Sequence, residues 1–391
     1  MAWRLAAPLV ARTAWRLAGP LVARTTLRLA LLLVALGGGS GSLGAQVPTA
    51  SDRGVAVGVE RRQYTIGPDS TATTVDQWVV PVGLTWQRGR LGLDLGTSWV
   101  RSRLSLGDSG RSVSSLTDTQ IRAAYTFGRD FVVASLVANL PTGLSRAPGA
   151  DFPVLGAISS SFLAFPAASH GAGFSLTGGM AVAVPAGQWN LGIAASMRWS
   201  GEYTPYVDPT GPFSYRPGLE GRVRAGVDRI VGRSRITAGL TYSSFGTDEF
   251  GTGTTTAGLY QPGDRWTVEG GVVAPVGRSG LVSVYGWHYR RVAGDSSRVA
   301  VANSERITAG GISWEVPLRS GLDLDLSIDG RTGRMGSAPG RLVGGQAGLG
   351  IALSRRLSLL PAVRYDLGSL DPVVGRLDVR GYGFSVYLRS R

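Results

Sequence analysis

The chain has no cysteine, no lysine and only two histidines among its 391 residues, and only 17% of it is charged. Each shortage excludes something. Without cysteine there is no disulfide framework, thiol nucleophile, iron–sulfur centre or lipoprotein anchor. Two histidines leave almost nothing from which to assemble a zinc site, so neither a metal nor a cofactor is expected. Soluble domains carry about 25% charged residues, and this chain falls short of that. After Gln46 no apolar run approaches the ~18 residues of a spanning helix, and no stretch shows the 3.6-residue apolar spacing of an amphipathic one. The net charge of +14 comes entirely from arginine. Those arginines interleave with Asp and Glu along the whole length, which excludes a nucleic-acid footprint.

The first 45 residues read as an address. Residues 2–13 (AWRLAAPLVART) recur as 14–25 (AWRLAGPLVART), followed by Arg28, an apolar core from Leu29 to Leu36 and the small-residue tail GGGSGSLGA. A basic start, a short apolar core and a small-residue end make a secretory signal, cleaved after Ala45 or Gly44. Residues 46–52 then form a short periplasmic segment and 53–391 the folded domain. The segment Gly39-Ser-Gly-Ser-Leu-Gly44 matches a dinucleotide fingerprint in letters only, because no strand precedes it and no helix follows.

Glycine is abundant, at 58 residues, and apolar and polar residues alternate with period two. In Leu322-Asp-Leu-Asp-Leu-Ser-Ile328-Asp every even residue is aliphatic. Trp189, Leu191, Ile193, Ala195, Met197 and Trp199 alternate with Asn190, Gly192, Ser196 and Arg198. Sixteen such segments begin near residues 53, 76, 91, 117, 131, 172, 188, 217, 233, 263, 279, 304, 320, 341, 356 and 377. Fourteen remains open as the strand number, and the long 141–171 connection has room for an unrecognised hairpin. Tight Gly-containing turns alternate with longer Gly/Ser/Thr/Asp-rich loops. This is the layout of a transmembrane β-barrel, which spans lipid with strands of ~9–11 residues and must close, because lipid offers nothing to an unpaired edge. The predicted fold is all-β: one antiparallel transmembrane barrel, apolar outside and polar within. Trp78, Trp86, Trp99, Phe127, Trp189, Trp199, Trp266 and Trp287 fall near strand ends, where interfacial girdles belong. A secreted propeller would need a 40–50-residue repeat, and none occurs.

In this pattern the chain resembles bacterial outer-membrane β-barrel proteins of the porin-like or passive-transporter-like kind, over residues 53–391. The last strand, Gly381-Tyr-Gly383-Phe384-Ser-Val386-Tyr-Leu388, resembles the C-terminal signal of that group, although it ends in Arg389-Ser-Arg391 and not in an aromatic. The resemblance implies an integral location in the outer membrane of a Gram-negative cell and contact with outer-membrane lipid and lipopolysaccharide. It also implies recognition of the last strand by the barrel-assembly machinery and passage of small solutes.

Sixteen strands leave an aqueous channel where eight would be filled by their own side chains. The 141–171 connection contains Asp151, Phe152, Phe162 and Phe165, and it follows the fifth strand, as the constricting loop of porins does. It either folds into the lumen and narrows it or forms a lid. By register, Arg198, Arg222, Arg224 and Arg235 face inward from strands seven to nine, and Glu315, Asp323, Asp325 and Asp329 from strands twelve and thirteen. Two arrangements fit: a transverse field between the two walls, or local pairing that merely hydrates the wall.

Catalysis finds little support. Gly107-Asp-Ser-Gly110 spells the surroundings of a serine nucleophile, but no histidine precedes it in the chain. His288 is expected to point inward, without a carboxylate–serine partner, and His170 to be solvated in its loop. Asp248-Glu249 fits no calcium-loop spacing. Two functions remain: a passive channel, or a non-transporting or structural barrel whose external loops bind a partner or lipopolysaccharide.

Overall fold

Successive side chains of a strand point to opposite faces of a sheet, so strict alternation builds a wall with one face in lipid and the other on a cavity. A computed structural model of the chain describes residues 53–68, 72–128, 131–144, 146–208, 211–252, 255–277, 280–296, 304–335, 338–372 and 375–390. The expected signal and periplasmic segment lie outside the described residues. The wall consists of β1 (Arg53–Ile66), β2 (Thr73–Arg88), β3 (Leu91–Leu106), β4 (Ser109–Leu116 with Thr119–Phe127), β5 (Val132–Leu140), β6 (Ser175–Ala186), β7 (Trp189–Ser200) and β8 (Glu220–Val231). It continues through β9 (Ser234–Phe245), β10 (Arg265–Val276), β11 (Gly280–Arg291), β12 (Glu305–Arg319), β13 (Leu322–Met335), β14 (Ala338–Ala352), β15 (Leu357–Leu370) and β16 (Leu377–Ser390). All neighbours in the wall are antiparallel. β16 pairs with β1 from Val379↔Ile66 to Arg389↔Ala56, so the sheet closes as a barrel of 16 strands. The sixteen expected segments are the sixteen observed strands, and 14 is ruled out.

β4 is the irregular strand. Its first piece pairs with the outer part of β3 (Leu106↔Ser109 to Trp99↔Leu116) and its second with the inner part (Gly96↔Gln120 to Leu91↔Tyr125). One extra residue between Leu116 and Gln120 forms a bulge, which changes which positions face inward. Val113 and Thr117 are buried before it, and Ala124 and Thr126 after it.

One end of the barrel carries tight turns. Gly89, Gly128, Gly187, Gly232, Gly277 and Gly321 occupy them with φ between 57° and 78°, left-handed backbone that other residues enter only at a cost. The long connections all leave the other end, the external one. Three of them add short strands that pair above the wall: Tyr203–Asp208 with Gly211–Arg216, Asp248–Thr252 with Thr255–Gln261, and Asp295–Ser296. The connection from β5 to β6 contributes Ala147–Pro148 to that sheet and a single helix, α1 (Phe152–Ile158). Among its described residues it contains no hairpin.

The two faces differ as lipid and lumen require. Val57, Leu84, Ile193, Leu240, Ile312, Ile328, Val363 and Leu388 are exposed on the outside. Trp78, Trp86, Trp99, Phe127, Trp189, Trp199 and Trp266 occupy the same outward register near strand ends. Trp287 does not. It shares the inward register with Ser283 and Tyr285, so it belongs to the lumen wall.

Candidate functional site

Sixteen strands spaced about 4.8 Å apart and tilted about 40° give a backbone radius of roughly 16 Å. Side chains on the wall alone cannot fill that width. The interior is therefore defined by two things: the charged groups on the wall and the connection that bends into it.

The inward register of β7–β10 carries Arg198, Arg222, Arg224 and Arg235, each answered locally or lying close to a carboxylate-bearing strand. Arg222 donates to Glu220 at 2.5 Å, and Arg265 on β10 reaches the same Glu220 oxygen at 2.8 Å. Arg224 pairs with Glu269, and Arg235 with Asp228 at 3.1 Å. On β13 Asp323, Asp325 and Asp329 share the inward register, with Glu315 directly opposite Asp325 on β12. Asp329 holds Arg364 at 2.6 Å, and Arg364 also grips Asp366 at 2.6 Å. Asp366 is fully buried, with Arg62 at 3.5 Å and the Tyr64 hydroxyl at 3.4 Å. Further inward charges, Glu60, Arg62, Arg291, Glu305, Arg331 and Arg389, sit where the alternation of their strands puts them. The period-two alternation of the sequence carries their inward place as it does for the charges on β8 and β13.

The β5–β6 connection lies against the inner wall on the closure side. Ile158, Phe162, Leu163 and Phe165 form one buried cluster with Tyr64 of β1, Val75 of β2, Leu342 of β14 and Val379 of β16. Phe162 is fully buried and fits where Gly333 and Gly340 have no side chain: a Cβ on Gly340 would stand 2.8 Å from its ring. The Phe165 ring meets that of Tyr64 edge-on at 5.3 Å. Burying each such ring contributes about 1.5–3 kcal/mol. The return path is fastened by polar contacts. Gln77 of β2 donates to the Ala167 carbonyl at 2.7 Å and accepts from the Ala167 N–H at 2.9 Å. Asp118, at the bulge of β4, accepts from the N–H groups of Gly143 and Ala172 at 3.1 and 2.6 Å. Of the residues singled out in the sequence, Phe162 and Phe165 belong to the packed cluster. Asp151 instead pairs with Arg111 of β4, and Phe152 is exposed.

Both histidines lie elsewhere than expected. His170 is buried and not solvated: Nε2 is 3.0 Å from Ser102 Oγ, and Nδ1 is 2.9 Å from Ser115 Oγ. Burial pushes its pKa down to about 4, so the ring is neutral and serves as a bridge from the loop to β3 and β4. Its partners come from 55 and 68 residues away in the chain, which local pattern cannot reveal. His288 and Arg290 point outward, exposed in the register of Val284. Near the external rim the outer face leaves hydrocarbon and turns polar, so polarity there no longer marks the inside.

Above the wall, the Tyr215 hydroxyl donates to Asp248 at 2.5 Å, and Gly218 N–H donates to the other Asp248 oxygen at 2.7 Å. Desolvation and that carboxylate both push the Tyr215 pKa up. Asp248 is thus spoken for by the neighbouring β7–β8 connection, and among the described residues no group of three His, Asp or Glu gathers that could hold a metal ion.

No protein-family profile and no curated relative matches the chain. Solved structures do resemble it. The monoaromatic hydrocarbon channel TodX, in a mutant form, aligns at 11% identity and a TM-score of 0.47, covering 87% of this chain and 90% of that one. OccK2 of Pseudomonas aeruginosa aligns at 11% identity and a TM-score of 0.41, covering 86% and 98%. The OmpT outer-membrane protein of Vibrio cholerae, in a loop-deletion form, aligns at 12% identity and a TM-score of 0.38, covering 85% and 99%. With a closed wall of 16 antiparallel strands, apolar residues facing out and ion-paired polar residues facing in, the chain has the fold of a transmembrane β-barrel.

Proposed function

We propose that the barrel is a passive channel for small polar solutes, narrowed near its external mouth by the 141–174 connection. The observation that carries this reading is the packing of Phe162 and Phe165 on Tyr64, Val75, Leu342 and Val379, inward residues of the external half of the wall. A connection so docked occupies part of the lumen cross-section and leaves the Glu220, Arg222 and Arg265 side facing it. Solutes then pass between an apolar-backed loop and a wall of paired charges, which favours molecules carrying both hydrogen-bond donors and acceptors. No bond is made or broken in such passage, so the reading assigns no catalytic residue.

The second reading, a barrel that binds a partner by its external loops, is favoured by the small sheet above the wall, where Phe213 and Phe250 stack at 5.8 Å. Single-channel conductance of residues 46–391, refolded and inserted in a planar bilayer, separates the two. Discrete long-lived steps are expected, growing several-fold when residues 152–166 are replaced by a short Gly-Ser bridge. A folded barrel that conducts no ions, with or without the loop, overturns the channel and leaves the binding reading.

A further inference from the structure

One residue along β11–β13 changes the wall from its lumen face to its lipid face, and the logic of its charges changes too. Inside, Arg291 stands opposite Glu305 and pairs with it at 3.4 Å. Outside, at the adjacent position, Arg290 stands opposite Arg306 and Arg306 opposite Arg334. Three exposed guanidinium side chains thus lie at directly opposed positions on three neighbouring strands. Arg341 on β14, opposite Thr332, adds a fourth, also exposed. Like charges directly opposite one another weaken a sheet, and among the described residues none of the four has a carboxylate within ion-pairing distance. Elsewhere on the outer face, Arg61 pairs with Asp76 at 2.8 Å. Asp264, the outward carboxylate beside β10, is held by the Tyr242 hydroxyl at 2.6 Å.

The height of the ladder matters as much as its charge. One outward step toward the tight-turn end lie His288 and Thr308, joined at 2.8 Å, and Thr332. Two steps further lie Val284, Ile312 and Ile328, the exposed apolar surface that meets hydrocarbon. Trp266, directly opposite Arg290, marks the same level as interfacial. The ladder therefore stands at the headgroup layer of the outer leaflet.

We propose that Arg290, Arg306, Arg334 and Arg341 form a binding site for the phosphorylated headgroup of an outer-leaflet lipid. Cross-strand neighbours hold their Cβ atoms about 4.5–5.5 Å apart, close enough for two guanidinium groups to share one phosphate, and the planar guanidinium fork matches phosphate oxygens in pairs. The lipid's acyl chains then lie on the apolar surface below. A second copy of the chain is a poor occupant, because a two-fold contact sets the patch against itself and opposes like charges.

The test titrates the full refolded barrel, in zwitterionic detergent, with lipopolysaccharide, with its enzymatically dephosphorylated form and with inorganic phosphate. Native mass spectrometry reads occupancy, and the fluorescence of the barrel, to which Trp266 contributes, reads affinity. Replacing Arg290→Gln, Arg306→Gln and Arg334→Gln together is expected to weaken binding of the phosphorylated form at least tenfold. Arg101→Gln with Arg103→Gln, outward on β3, is expected to leave it within twofold. Without lipid the triple variant is expected to melt no lower than the native protein, because only repulsion has been removed; a structural role would lower its melting temperature. Arg306→Gln alone, the middle rung, serves if the triple variant fails to fold. Equal binding by native and triple variant overturns the site. Equal affinity for inorganic phosphate and for lipopolysaccharide overturns the lipid as its occupant.

Discussion

The inner wall has two unlike halves. From β14 through the closure to β2, its external part presents Leu342, Val379, Tyr64 and Val75, and the β5–β6 connection covers them. From β8 to β12, at the same level, it presents Glu220, Arg222, Arg265, Arg291 and Glu305, which compensate one another. One chain, one strand geometry and one alternation yield both. What differs is the identity of the inward residue, and it decides where the loop goes: a segment with Ile158, Phe162 and Phe165 gains burial only against the apolar half, and would strip water from paired charges on the other. The loop is thereby held to one side, and in the proposed channel the opposite side is the one left for water.

Weakening the apolar half should have the largest effect. Phe162→Ala leaves a void beside Gly333 and Gly340 that the rigid wall cannot close, and truncating a buried phenylalanine costs about 3–5 kcal/mol. The barrel itself should stay folded, because its ladder does not pass through the loop. Expected are a several-fold rise in single-channel conductance and new proteolytic cleavage within 152–166. Unchanged conductance with an undocked loop would mean that the loop does not set the width.

Acid should loosen the same half by another route. His170 ordinarily titrates near 6.5, and in its buried place near 4. Its lowered pKa means that docking of the neutral ring is at full strength above pH 6.5 and is lost progressively as pH falls toward 4, by an amount on the order of 3 kcal/mol if the loop stays docked. Hydrogen exchange of amides near residues 163–172 should accelerate across that window in the native protein. It should not in His170→Gln, which has no proton to gain. An acid response that survives the substitution assigns it to another group.

The charged half should answer more mildly and in selectivity rather than in width. Glu220→Gln leaves Arg222 and Arg265 without their shared carboxylate. A uncompensated unit charge at channel distances is worth about 1 kcal/mol, or about fivefold in ion partition. Reversal potentials in a salt gradient should move toward anion preference. Asp323→Asn with Asp325→Asn should move them the same way and by less, if local pairing governs the wall. A larger shift from the β13 pair would favour a field running across the lumen.

How much of this contrast was legible follows from the range over which each part is decided. The strands were legible because alternation is local: Leu322 to Asp329 states its own register. The bulge at Thr117–Asp118 was not, because it reverses the alternation within one strand and so hides the piece Ser109–Leu116. The inward charges on β8 and β13 followed from period two, but their pairings did not, since Arg265 meets Glu220 across 45 residues. The place of the loop was half legible. Its unusual load of apolar residues could be seen, whereas the Gly333–Gly340 notch that receives Phe162 is a matter of tertiary fit. His288 faces outward against expectation because polarity marks the inside only where the outer face meets hydrocarbon, a rule that fails at the rim.

The smallest expected effect belongs outside the lumen and shows what a merely compensated charge is worth. Arg61 lies over the Trp78 ring at 5.3 Å and pairs with Asp76 at 2.8 Å, both partners partly exposed on the outer face. An exposed pair contributes about 0.2–1 kcal/mol, so Asp76→Asn should shift the thermal midpoint of the barrel barely, and conductance not at all. Its use is as a control on the interior: the same loss of one carboxylate at Glu220 changes selectivity because two guanidinium groups remain in the lumen. If Asp76→Asn altered conductance as much as Glu220→Gln, the charges of the inner wall would have no special hold on passing ions, and the contrast between the two halves would reduce to the loop alone.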